Sequence, residues 1–76
     1  MSTYRLDVPE LYARLDDMRR QAGMSWRGLA AHLDVSASTF SRMQAGHRPD
    51  ADALVTFLEW LDLDVVYVTQ PDGSPR

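Results

Sequence analysis

The run from Met24 to Gly46, MSWRGLAAHLDVSASTFSRMQAG, leaves the chain few ways to fold. It reads as two short helices joined by a turn too brief for anything but a sharp change of direction. Ser25 can cap the first helix, whose apolar face is Leu29, Ala30 and Leu33, and Ser36 can cap the second, which buries Phe40 and Met43. Gly46 then stands where a left-handed residue stops a helix. Between the two lie His32, Leu33, Asp34 and Val35, and Val35 supplies an apolar side chain to pin the corner.

Outside its core positions the second helix has an unusual composition. Ala37, Ser38, Thr39, Ser41, Arg42 and Gln44 are short or hydrogen-bonding, and none is acidic. A helix that had only to stay soluble would carry Glu and Lys there. This one lacks the negative charge that repels phosphate.

With these residues in view, the stretch resembles the helix-turn-helix of the lambda-repressor-like family, also called the xenobiotic-response-element family. Leu29-Ala30, Val35-Ser36, the run Ser38-Thr39-Phe40-Ser41-Arg42-Met43 and Gly46 fall where that family places its turn, recognition helix and closing glycine. The likeness covers roughly residues 10 to 62, and VSASTFSRMQAG is its most specific part. It implies a mostly α-helical DNA-binding domain of four or five helices that acts as a dimer. It also places base-reading positions on Ala37, Ser38 and Arg42, with the outward-facing Ser41 beside them, and a polar position near the helix end on Gln44. The guanidinium fork of Arg42 matches guanine O6 and N7, with a plain phosphate contact as the alternative; Ala37 offers only a methyl, and Ser38 discriminates weakly.

Length and charge agree with one small module. The chain has 76 residues, and a domain of that size buries only about 60–65% of its unfolded surface, so its core is thin and a partner subunit would add burial. There is no cysteine, hence no disulfide framework or thiolate metal site. No signal-peptide pattern opens the sequence and no apolar run approaches the ~20 residues that span a bilayer, so the expectation is a cytoplasmic protein without a membrane partner. Net charge is −3, but its distribution is uneven. From Arg14 to Arg48 six arginines face Asp16, Asp17 and Asp34, a balance of +3, whereas from Pro49 onward six acids face only Arg76, a balance of −5. The basic half suits DNA and the acidic half is expected to face away. Lysine is absent, which leaves arginine as the phosphate ligand of high charge.

In chain order, residues 1–6 are either frayed or a short extended arm. Asp7-Val8-Pro9-Glu10 starts a helix as in a capping box. That helix puts Leu11, Leu15 and Met18 on one face with Tyr12 beside them, and ends at Gly23 with Arg19 and Arg20 in its last turn. These two arginines, the amides beyond Ser25, and Arg48 are candidate phosphate ligands, with Thr39 and Gln44 at the margins of the recognition helix. Trp26 occupies a position where the resembled family has a phosphate-binding glutamine. It either donates its indole N–H to the backbone of DNA or packs over the first helix. Gly28 either allows a close approach or is tolerated at a cost of up to ~1 kcal/mol. His32 lacks fellow metal ligands. His47 lies with Arg48 in a loop that the resembled family uses to reach phosphate, and Arg48 is favoured because its charge does not depend on pH.

Asp50 can cap a further helix with Leu54, Phe57, Leu58 and Leu61 as its buried stripe, broadened by Trp60. Leu63–Thr69, LDVVYVT, reads as a strand. It needs a partner, either residues 3–6 or the same strand of a second chain. The second choice makes Trp60, Val65, Val66, Tyr67 and Val68 a homodimer interface, similar to antitoxins of the resembled family that carry a short C-terminal strand. The expected organisation is a single domain, residues 1–76, with a core over 7–62, a dimerisation strand over 63–69 and a disordered tail over 70–76.

The residues favour a sequence-specific double-stranded DNA-binding regulator, a dimeric repressor reading an inverted repeat. One alternative is an antitoxin that neutralises a toxin protein while repressing its own operon. Another is a protein-interaction module that kept the fold and lost DNA contact, for which the acidic C-terminal half and Trp26 speak. No nucleophile–base pair, paired-carboxylate pocket or phosphate loop suggests an enzyme, and no cofactor or metal is called for.

Overall fold

The computed structural model describes residues 3–71. Strand β1 (Tyr4–Leu6) leads into helices α1 (Val8–Gln21), α2 (Trp26–Leu33), α3 (Ser38–Gln44) and α4 (Ala51–Leu61), and a 3₁₀ turn (Val65–Val68) then leads into strand β2 (Thr69–Pro71).

Each long helix begins on a side-chain cap. Asp7 Oδ1 accepts from the Glu10 amide at 3.1 Å, Ser25 Oγ from Gly28 at 3.0 Å and Asp50 Oδ1 from Ala53 at 2.7 Å. The box at Asp7 is only half made, because the Glu10 carboxylate pairs forward with Arg14 Nε at 2.7 Å. Gly28 is a close approach, since a Cβ there would stand 3.2 Å from Ser25 Oγ. Helix α3 departs from expectation: its cap position is Ala37 and no side chain caps it. Ser36 instead lends its carbonyl to the Thr39 amide (3.0 Å) and its hydroxyl to that of Ser38 (2.9 Å).

All four helices end alike, with a left-handed residue and paired amides reaching back. Gly23 (φ 70°) and Gly46 (φ 97°) close α1 and α3, and Asp34 (φ 57°) and Asp62 (φ 52°) close α2 and α4. After α3, for example, Gly46 N donates to Met43 O at 2.9 Å and His47 N to Arg42 O at 2.9 Å.

The core is Leu11 and Leu15 from α1, Leu29 and Ala30 from α2, Phe40 and Met43 from α3, and Ala53 and Phe57 from α4, with Val8 and Val68 closing it. An aromatic ladder ties the helices together. Tyr12 stacks on Trp26 (centroids 4.9 Å, 21° between planes), Trp26 meets Phe40 at 4.9 Å, and Phe40 meets Phe57 at 5.5 Å.

The segment expected as a strand over 63–69 is mostly something else. Asp64 turns the chain: its carboxylate accepts from Val66 N and its carbonyl from Tyr67 N at 3.1 Å. Val65–Val68 consequently coils into a 3₁₀ turn despite its β-branched composition. Only Thr69–Pro71 is extended, and it pairs antiparallel with β1 of the same chain in the register Tyr4↔Pro71, Arg5↔Gln70, Leu6↔Thr69. The Asp7 amide continues the pairing to Val68 O at 2.7 Å. The alternation expected for a strand is lost as well: Val66 and Tyr67 are both 61% exposed, while Val68 is fully buried in its own chain's core. Val68 is therefore corrected from interface to core residue. Gln70 and Pro71, expected in a disordered tail, belong to β2, and the rest of that expected tail, 72–76, lies outside the described residues, as do residues 1–2.

Val68→Ala should accordingly destabilise the protomer by about 1.5–3 kcal/mol. The loss should be independent of protein concentration in urea unfolding, with Val66→Ala far milder.

Candidate nucleic-acid interface

Helices α2 and α3 meet across a turn set by the left-handed Asp34 and by Val35 N donating to Ala30 O at 3.0 Å. Half-buried Val35 packs against the core and fixes the corner. Helix α3 turns Thr39, Phe40 and Met43 inward. Ala37, Ser38, Ser41, Arg42 and Gln44 are exposed, and together they make the carboxylate-free outer face expected of the candidate base-reading residues. Thr39 is only 7% exposed, so its expected place among phosphate ligands is corrected to a packing role. The Ser41 hydroxyl donates to Ser38 O at 3.2 Å. Arg42 is exposed and its side chain has no ion pair among the described residues. It lines a shallow depression with His47, Arg48, Pro49 and the α4 cap Asp50, which brings the helix and the loop after it into one surface.

The expected cations on α1 divide. Arg19 is a structural clamp: Nη1 donates to Met24 O at 2.8 Å, Nη2 pairs with Asp16 at 2.5 Å, and the guanidinium lies 4.6 Å over the Trp26 ring. With its side chain 17% exposed, Arg19 is not a free phosphate ligand. Arg20 has a 71% exposed side chain and shares Asp16 at 3.0 Å, which leaves most of its guanidinium to solvent. Trp26 takes the packing alternative, held between Tyr12 and Phe40 with Arg19 above it. The hydroxyl of Ser25 caps α2, and the Trp26 and Arg27 amides beside it find no acceptor among the described residues. A helix start with free amides can meet an anion.

Arg27 is a cation that sequence reading left without a role. It stands in the first turn of α2, exposed and without an ion pair among the described residues. Its position two residues past the Ser25 cap was the available signal. The acidic half of the chain is also less segregated than expected. Asp50 and Asp52 border a depression with Asp34, Ser36 and Arg42, while Glu59, Asp62 and Asp64 lie at the far end of α4. The Asp50 carboxylate is engaged by the Ala53 amide, which offsets part of its charge locally.

Among the described residues, no group of three or more His, Asp or Glu side chains could hold a metal ion. No helix there is long and apolar enough to cross a membrane.

A capped helix, a left-handed corner and a second helix with an uncharged-to-basic outer face define a helix-turn-helix DNA-binding module. The family described as helix-turn-helix domain matches residues 10–68, and the chain belongs to it. Members of that family are DNA-binding regulators rather than enzymes. No curated protein and no solved structure matches the chain.

The hydrogen bond from Arg19, aided by the charges of Arg20 and Arg19, holds the Asp16 carboxyl below its ordinary pKa. A lowered folded value contributes stability that is present above the unfolded value and lost as pH falls through the folded one. Asp16→Asn should thus melt below wild type at neutral pH, and the two melting curves should converge as the pH falls through the lowered folded value.

Proposed function

We propose that the chain is a sequence-specific, double-stranded DNA-binding transcriptional regulator that acts as a homodimeric repressor on an inverted repeat. The observation that carries this reading is the acid-free outer face of α3, continuous through Arg42 with the loop that holds His47 and Arg48. Arg42 reads a guanine edge, while Ser38, Ser41 and the Ala37 methyl make weaker base contacts. Arg48, His47, Arg20, Arg27, Gln44 and the α2 amides position the domain on the phosphates.

Support for the dimer comes from exposed Val65, Val66 and Tyr67, together with half-buried Trp60 and 65% exposed Val55 on α4. A two-fold axis there sets operator half-sites about one helical turn apart. A second reading, in which the chain also holds a toxin protein, rests on the depression that combines Val55 and Leu58 with Glu59, Asp62 and Asp64. Sedimentation equilibrium at micromolar concentration separates the two. A dimer weakened by Val66→Glu supports self-association, whereas a monomer leaves that face to a different protein.

Binding-site selection followed by salt titration tests the DNA reading. Arg42→Ala should relax preference at one G·C position per half-site, a loss of about 1–3 kcal/mol of discrimination. Arg48→Ala should weaken cognate and scrambled duplexes alike and reduce the salt slope by about 0.9 per bound protomer. An Arg42→Ala protein that selects an unchanged motif assigns Arg42 to phosphate instead. Absence of salt-dependent duplex binding by the wild type overturns the reading altogether.

A further inference from the structure

The β1–β2 ribbon carries a cation that the helix-turn-helix does not account for. Arg5 lies on β1, exposed, with no ion pair or side-chain hydrogen bond among the described residues. Its backbone is fixed by pairing opposite Gln70, and its neighbour Leu6 packs against the core. Successive residues of a strand point to opposite faces, so anchoring Leu6 inward aims Arg5 away from the core.

The side it turns to is shared with the loop after α3. Arg5 and Gln70 line one open cleft together with Gly46 and Arg48, about 340 Å³ in volume and bordered by no carboxylate. Other depressions on the described surface differ in this respect: Glu59, Asp62 and Asp64 border one, and Asp34, Asp50 and Asp52 another. The acids closest in sequence are occupied elsewhere, Asp7 in capping α1 and Glu10 in its ion pair with Arg14. Two guanidiniums flanking a cleft without a counter-charge attract anions from solution. Gly46 lines the cleft at the loop with a φ of 97°, a conformation that residues with side chains rarely adopt. The loop itself is tied to the end of α3 by the bond from His47 N to Arg42 O at 2.9 Å. The cleft is therefore continuous with the recognition surface.

We propose that Arg5 binds a DNA backbone phosphate next to the one gripped by Arg48, so that the β1–β2 ribbon is part of the DNA-binding surface. The inference rests on the DNA-binding reading above. Pairing with β2 gives Arg5 a fixed backbone in the free protein, so less ordering entropy is lost on binding than for a loose N-terminal arm. Gln70, across the ladder, adds an amide donor on the same cleft.

Salt titration of Arg5→Ala, Arg5→Lys, Arg48→Ala and the Arg5→Ala/Arg48→Ala double variant, each on cognate and scrambled duplexes, tests it. Arg5→Ala should reduce the salt slope by about 0.9 per bound protomer, equally on both duplexes, and the double variant by about 1.8 per bound protomer. Arg5→Lys should restore the slope, which separates charge from any effect on folding. A double variant with the slope of Arg48→Ala alone overturns the proposal and leaves the DNA reading intact, whereas a wild type without salt-dependent binding removes that reading instead. Inorganic phosphate at matched ionic strength identifies the source of the anion. It should compete no better than chloride, and specific competition lost in Arg5→Ala would reassign the cleft to a free oxyanion.

Discussion

The ladder Tyr12–Trp26–Phe40–Phe57 is the contact on which the rest of the domain depends, because it takes one ring from each of the four helices. Aromatic pairs at such separations contribute about 0.5–1.5 kcal/mol beyond the area they bury. In a domain of this size a few such contacts are a large share of net stability. Trp26 is its central rung, and Arg19 seals it by lying over the ring while bonding the Met24 carbonyl in the α1–α2 connection. A side chain at the position where phosphate contact was one expectation is thus spent on holding α2 and α3 in fixed relation.

That arrangement frees the surface of α3. Seven residues with no side-chain cap would not form a helix alone. Helix α3 persists because Phe40 and Met43 are anchored and its far end is closed by Gly46 and His47. Since its stability comes from the buried face and the end, its outer residues need not be strong helix formers or ion-paired. Ser38, Ser41 and Arg42 can then be selected for what they meet rather than for what they hold.

Much of this was legible because it is written in local rules. The caps Asp7, Ser25 and Asp50, the stops Gly23 and Gly46, and the core positions of α2 and α3 follow from spacing and backbone preference. The illegible parts are tertiary. Composition marks Val65–Val68 as strand, but Asp64 offers a local turn, and Val68 gains more by reaching the core than by extending an edge. Arg19 and Arg20 are adjacent in sequence and alike in charge, yet their side chains are 17% and 71% exposed, because only one of them points at the Trp26 ring. Asp34 and Asp62 end their helices in the left-handed region without glycine, a use of aspartate that residue type alone does not disclose.

The same partition explains how an acidic chain can present a cationic surface. On α1, Arg14 is met by Glu10 and Arg19 by Asp16, so these two add little to the outside field, whereas Arg20 shares Asp16 and leaves most of its guanidinium to solvent. Arg5, Arg27, Arg42 and Arg48 have no such partners among the described residues. They are distributed over β1, the start of α2, the end of α3 and the loop that follows it. Of the carboxylates near them, Asp50 is engaged by a backbone amide and Asp34 and Asp52 border one depression with Arg42, while Glu59, Asp62 and Asp64 sit at the opposite end of α4. Screening confines each unpaired charge to about 8–10 Å at ordinary ionic strength. The potential felt by an approaching polyanion is therefore set by these local cations rather than by the net charge of −3.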